Sequence, residues 1–113
     1  MSAYLISEIT FDIAVPKNLQ VIERTNSSIT VEWDPVTDSA PDHSFEYAVC
    51  AEPLPKPKVA SEFCKNTSHT TYTFINLVAD TKYNITVRAC GTQDPKLCSL
   101  YSDAIQNRTK PIG

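Results

Sequence analysis

Glycine is nearly absent from this chain: Gly91 and Gly113 are the two in 113 residues. Loops that wrap phosphates need closely spaced glycines, because only a backbone without Cβ approaches the anion closely enough. Nucleotide binding through such a loop is therefore excluded. Histidine is as scarce. His43 and His69 have no nucleophile elbow or other local motif beside them, so no catalytic residues are assigned and an enzyme is not expected. A surplus of positive charge is also missing. Ten Lys and Arg against 13 Asp and Glu give a net charge of −3, which argues against nucleic acid, whose binders neutralise phosphates with basic patches. No apolar run approaches the roughly 20 residues that cross a bilayer, so a membrane is expected only through a segment outside this chain. Nothing implies a cofactor or a small-molecule substrate. Residues 1–6 have no charged n-region and no cleavage site, and the expectation is a segment of a larger protein.

A 3.6-residue hydrophobic period is absent throughout, while a period of two is frequent. With 42% hydrophobic and 20% charged residues, the composition is that of one globular domain with one core. Tyr83, Ile85, Val87 and Ala89 fall on one face of an extended strand, with Asn84, Thr86 and Arg88 on the other. Leu19 and Val21 alternate in a first strand, and Ile29, Val31 and Trp33 in a second that Asp34-Pro35 ends. Phe45, Tyr47 and Val49 mark a third, expected to stop at the Pro-rich stretch from Glu52. A fourth is expected near Cys64, and a fifth places Tyr72 and Phe74 inward. The Tyr83 strand is sixth, and a seventh is expected to run from after Lys96 to about Thr109. Leu77, Thr81 and Tyr83 resemble the tyrosine corner of β-sandwiches, in which a Tyr hydroxyl bonds to backbone a few residues upstream. The predicted fold is all-β, a seven-stranded antiparallel sandwich.

Two features point to the secretory pathway. Asn26, Asn66, Asn84 and Asn107 each begin an N-glycosylation sequon. With about one residue in five being Ser or Thr, roughly one of the six Asn residues should match by chance, against four observed. The cysteine count is even: Cys50, Cys64, Cys90 and Cys98, as expected where thiols are oxidised. Their spacing lacks the C-x₂-C of zinc sites. Asp38, Asp42 and His43 lie close enough in sequence to hold a cation, but solvated turn residues explain them more simply, and no metal is assigned. The expected location is extracellular or at the cell surface.

The run Pro16 to Val21, then Ile29-Thr30-Val31-Glu32-Trp33-Asp34-Pro35, then Tyr47, then Leu77 and Thr81 to Val87 resembles a fibronectin type III module, an immunoglobulin-like sandwich. Arg108-Thr109-Lys110-Pro111 resembles the join to a following module. The resemblance covers residues 15–111, with 1–14 as an extension or linker and 112–113 as the start of a linker. Ala79 and Asp80 stand where the family often has Pro and Gly, and the family generally has no disulfides. The inter-sheet Cys pair flanking a Trp in immunoglobulin domains is absent. Along residues 1–14 and into the next residue, Leu5, Ile9, Phe11, Ile13 and Val15 alternate. That stretch could lengthen the first strand, close a preceding module or add to a neighbour's sheet edge.

The resemblance implies which strands are neighbours. It puts Cys50 at the finish of the third strand and Cys90 at the finish of the sixth, at opposite ends of one sheet. Of three connectivities, this implies Cys50–Cys64 and Cys90–Cys98, two outward-facing staples. It also implies that Asn26, Asn84 and Asn107 belong to the C-terminal end. The loops of residues 35–44 and 91–97 share the other end, which Asn66 approaches from the side. A loop closed by Cys90–Cys98 loses little entropy on binding. Gln93, Asp94 and Lys96, with Asp38 and Asp42 on the neighbouring loop, are the candidate protein-binding residues. No Arg-Gly-Asp triplet and no Trp-Ser-x-Trp-Ser element is present. The implied function is protein–protein binding or adhesion in a receptor ectodomain, such as that of a receptor-type tyrosine phosphatase. The alternative is a passive spacer in a tandem array.

Overall fold

The computed structural model describes residues 13–37, 45–55, 63–92 and 97–113. Seven strands follow in chain order: β1 (Gln20–Arg24), β2 (Ile29–Glu32), β3 (Phe45–Leu54), β4 (Cys64–Thr67), β5 (Thr71–Phe74), β6 (Lys82–Gly91) and β7 (Ile105–Arg108). They form two antiparallel sheets, ordered β1-β2-β5 and β4-β3-β6-β7. This is the expected seven-stranded sandwich.

Alternation puts one face of every strand between the sheets. Ile29, Val31 and Trp33 from one sheet meet Tyr47, Val49, Ala51, Tyr83, Ile85, Val87 and Ala89 from the other, all buried. Trp33 and Tyr47 pack edge to face with centroids 5.5 Å apart, a geometry that suits the ring quadrupoles. Tyr47 keeps its hydroxyl satisfied by accepting from the Val36 backbone N–H at 2.9 Å. Trp33 Nε1 is buried and has no partner among the described residues.

The strand forecast needs three corrections. β3 does not stop at Glu52; it runs through Pro53 to Leu54, paired along its whole length with β6. Cys50 therefore lies in mid-strand opposite Thr86, not at the strand's finish, while Cys90 lies opposite Glu46. The two remain four positions apart, about 13 Å at strand rise, too far for a disulfide. The third correction is β7. Only Ile105–Arg108 form a regular strand, and residues 97–104 follow β6 by irregular bonds.

The loop before β6 shows how the sequence accommodates its departure from the family pattern. Asp80, where glycine is frequent, has φ 52°, and Asn76 has φ 60°. Asp and Asn are the side-chain-bearing residues that tolerate this left-handed region best. The Asp80 carbonyl accepts from Arg108 Nη1 at 3.0 Å, and the two side chains lie 3.6 Å apart, an exposed ion pair of small value. The tyrosine corner is formed. Val78 N–H donates to the Tyr83 hydroxyl at 2.9 Å, and the ring is buried. Beside it, Thr109 Oγ1 accepts from Thr81 N–H at 3.0 Å and donates to the Val78 carbonyl at 2.6 Å.

Two stability changes are expected. Tyr83→Phe removes the acceptor of a part-buried N–H and should cost about 1–2 kcal/mol; denaturant unfolding checks this, and a change near zero would mean that the corner contributes nothing. Asp80→Val places a β-branched residue at positive φ and should cost about 1–2 kcal/mol, while Asp80→Gly should stay close to the parent. Equal unfolding midpoints for the two variants would contradict the left-handed backbone at this position.

Candidate functional site

The end of the sandwich where β6 finishes and β3 begins gathers the loops singled out from sequence. Phe45, the first residue of β3, pairs with Gly91, the last of β6, so the β2–β3 and β6–β7 loops adjoin at this end. Gln93, Asp94, Lys96, Asp38 and Asp42 lie outside the described residues. What is described is the frame that holds their loops.

That frame is stiff. Cys90 and Cys98 face each other across an isolated bridge and are joined by a disulfide spanning eight positions. Gly91 N–H donates to the Leu97 carbonyl at 2.8 Å, closing the loop base a second time. A covalent closure of this length removes about 2–3 kcal/mol of chain entropy from the unfolded state. Beyond Cys98 two serines continue the connection to β6. Ser99 N–H donates to the Ala89 carbonyl at 2.7 Å, and Ser99 Oγ accepts from Ala89 N–H at 3.0 Å. Ser102 repeats the arrangement on Val87, at 2.8 and 3.1 Å. Their hydroxyls take the place of the carbonyls a regular strand would present, and between them Leu100 stands away from the sheet while Tyr101 turns onto its outer face.

The second disulfide, Cys50–Cys64, joins directly opposed residues of β3 and β4. Both pairings are those the family resemblance implied. The outward orientation holds for their faces, but Cys90 is only 4% exposed. Ala48, on the same outer face, is buried too. The face carries a small cluster of its own. The Arg88 guanidinium carbon lies 4.7 Å from the centroid of the Tyr101 ring, a cation–π contact, and Tyr101 Oη is 3.7 Å from Cys50 Sγ. Arg88 Nε is buried without a hydrogen-bond partner among the described residues, so the aromatic face is its main compensation.

Three apolar residues flank the closed loop at the surface: Leu97 at 43% exposure, Leu100 at 81% and Tyr101 at 41%. The sequence reading picked out polar tips and passed over these. Their signal was the break of alternation after Cys98, where a strand with one solvated face would not carry Leu-Tyr in succession.

The sequons are not equivalent. Asn26 is exposed in the β1–β2 turn and Asn66 is exposed on edge strand β4. Asn84 is half-buried on the outer face of β6, and Asn107 on β7 is paired with buried Tyr83, which turns it toward the sandwich interior. Among the described residues no group of three His, Cys, Asp or Glu side chains could hold a metal ion, and no helix is long and apolar enough to cross a membrane.

Comparison with known proteins agrees with this architecture. The fibronectin type III domain family matches residues 14–97. The FN5 domain of Drosophila Lar is 24% identical, with a TM-score of 0.66 over 89% of this chain and 99% of that one. The fn3 domain of human collagen alpha-1(XX) chain is 17% identical, with a TM-score of 0.71 over 91% and 90%. The chicken CNTN1 FN1-FN3 structure is 21% identical, with a TM-score of 0.69 over 87% of this chain and 32% of that one. At these identities the likeness is one of fold. No curated protein sequence matches the chain. The family match and the two-sheet order agree: the chain belongs to the fibronectin type III domain family.

Proposed function

We propose that this domain is an extracellular protein-binding or adhesion module, and that it binds through the end formed by the β2–β3 and β6–β7 loops. The observation that carries this reading is the disulfide-closed loop base with Leu97 and Leu100 exposed beside it. A preformed loop loses little freedom on binding, and exposed aliphatic and aromatic groups next to polar tips supply the area that anchors an interface. Gln93, Asp94 and Lys96, with Asp38 and Asp42, are the polar part of that surface. Fibronectin type III domains occur in protein-binding multidomain proteins and in tandem arrays, which agrees with the reading. Two disulfides agree with an oxidising compartment.

A passive spacer is the second reading, and one observation favours it. Lys110 N–H donates to the Thr25 carbonyl and the Lys110 carbonyl accepts from Asp80 N–H, so the chain's exit is fixed to both sheets. A fixed exit suits a unit that transmits orientation to whatever follows it. The two readings differ in what the opposite end does.

The test is binding of cell-surface or matrix protein to the immobilised, secreted domain. Leu100→Ser should weaken retention about tenfold, and joint replacement of Gln93, Asp94 and Lys96 by Ala should weaken it too. Neither should move the melting temperature appreciably, because Leu100 is exposed and the other three side chains are polar. A partner unaffected by both changes would place the surface elsewhere. No retained partner at all would favour the spacer.

A further inference from the structure

We propose that the four sequons divide by strand face: Asn26, Asn66 and Asn84 carry N-linked carbohydrate in the folded protein, and Asn107 does not. This rests on the secretory reading given above. In the transfer, Asn Nδ2 attacks C1 of an oligosaccharide held on a lipid diphosphate; the N–C bond forms, the C–O bond to phosphate breaks, and the amide gives up one proton. The acceptor amide must then point where a large hydrated group can stand.

Asn107 does not point there. On β7 it shares the inward row with Ile105, which packs against the core, and its pairing partner is buried Tyr83. Its Oδ1 is fully buried and has no hydrogen-bond partner among the described residues. Nδ2 is rooted on the same inward row, so a sugar attached to it would begin at the β7 edge of the gap between the sheets, beside Tyr83. Seating the sugar would require turning the amide out and opening the β7 edge beside Tyr83.

The third residue of this sequon has a separate reason to be threonine. Thr109 is 0% exposed, and its hydroxyl is engaged by Thr81 N–H and the Val78 carbonyl. Those bonds fasten β7 to the loop that forms the tyrosine corner. Asn-Arg-Thr therefore arises here from packing, and the hydroxyl is unavailable to a transferase once the domain has folded.

The other three differ on each count. Asn26 sits in an exposed turn, where the Ser28 hydroxyl bonds to that of Thr25. Asn66 is exposed on an edge strand, and Ser68 is exposed after it. Asn84 lies on the outer face between Glu52 and Gln106, with Thr86 outward on the same strand. Carbohydrate on Asn66 and Asn84 would stand over one face of one sheet, while carbohydrate on Asn26 would stand off the β1–β2 turn.

The experiment is site mapping on wild-type protein secreted from eukaryotic cells and purified in folded form. Enzymatic deglycosylation in ¹⁸O-water converts each occupied Asn to heavy Asp, which peptide mass spectrometry reads. Heavy Asp is expected at positions 26, 66 and 84, with unmodified Asn at 107. In gels, Asn26→Gln, Asn66→Gln and Asn84→Gln should each remove one mobility step, and Asn107→Gln none. Substantial heavy Asp at 107 in folded protein, beside the other three, overturns the division while leaving the secretory reading intact. A missing modification at 26, 66 or 84 overturns the assignment of that site. Four unmodified sites overturn the proposal and the secretory reading together.

Discussion

The ten-position antiparallel pairing of β3 with β6 is the constraint on which the rest of this domain depends. Phe45 to Leu54 run against Gly91 to Lys82 without a break. Because side chains alternate, this one register decides which residues are core and which are surface on both strands. A slip of one residue would drive Glu46, Cys50 and Arg88 into the sandwich and expel Tyr47, Val49 and Val87. The same register places Cys50 toward β4 and Cys90 toward the segment beyond the loop, so each finds only one partner. The disulfides, the buried tyrosines and the orientation of Asn84 all follow from it.

The outer face of this sheet is less open than a solvated face normally is. Tyr101 lies against Arg88 and close to the Cys50–Cys64 bridge, and Ala48 and Cys90 are covered. A small cluster there stiffens the region from which the β6–β7 loop springs. It also accounts for Arg88 in mid-strand with a buried Nε: its half-buried guanidinium packs against an aromatic face.

Much of the architecture was legible in the sequence because it is carried by alternation. Ile29, Val31, Trp33, Tyr83, Ile85 and Val87 announce their faces by period, and all are buried. The tyrosine corner was legible because its parts are close in sequence. What escaped lay where side chains substitute for backbone. Residues 97–104 read as strand, yet Ser99 and Ser102 bond to β6 through their hydroxyls, leaving Leu100 exposed and Tyr101 against Arg88. Pro53 read as a stop, but a proline is tolerated where its missing N–H leaves no pair unmade. The sequons illustrate a different limit. The motif is local, whereas the direction of Asn107 depends on a partner 24 positions earlier in the chain, Tyr83. The candidate residues Gln93, Asp94, Lys96, Asp38 and Asp42 lie outside the described residues, and the frame beside them is set by β3, β6 and the Cys90–Cys98 bridge.

The tie at Lys110 also has a mechanical meaning. β7 is a four-residue edge strand, the kind that tension peels away one bond at a time. Here a pull on the C-terminal side first meets the bonds from Lys110 to Thr25 and Asp80, and from Thr109 to Thr81. Thr25 belongs to the three-stranded sheet's turn, and Asp80 and Thr81 lead into the four-stranded sheet. Force entering at this point is divided between the two layers of the sandwich and pulls them as one body, so the weakest strand is shielded until that clasp has opened.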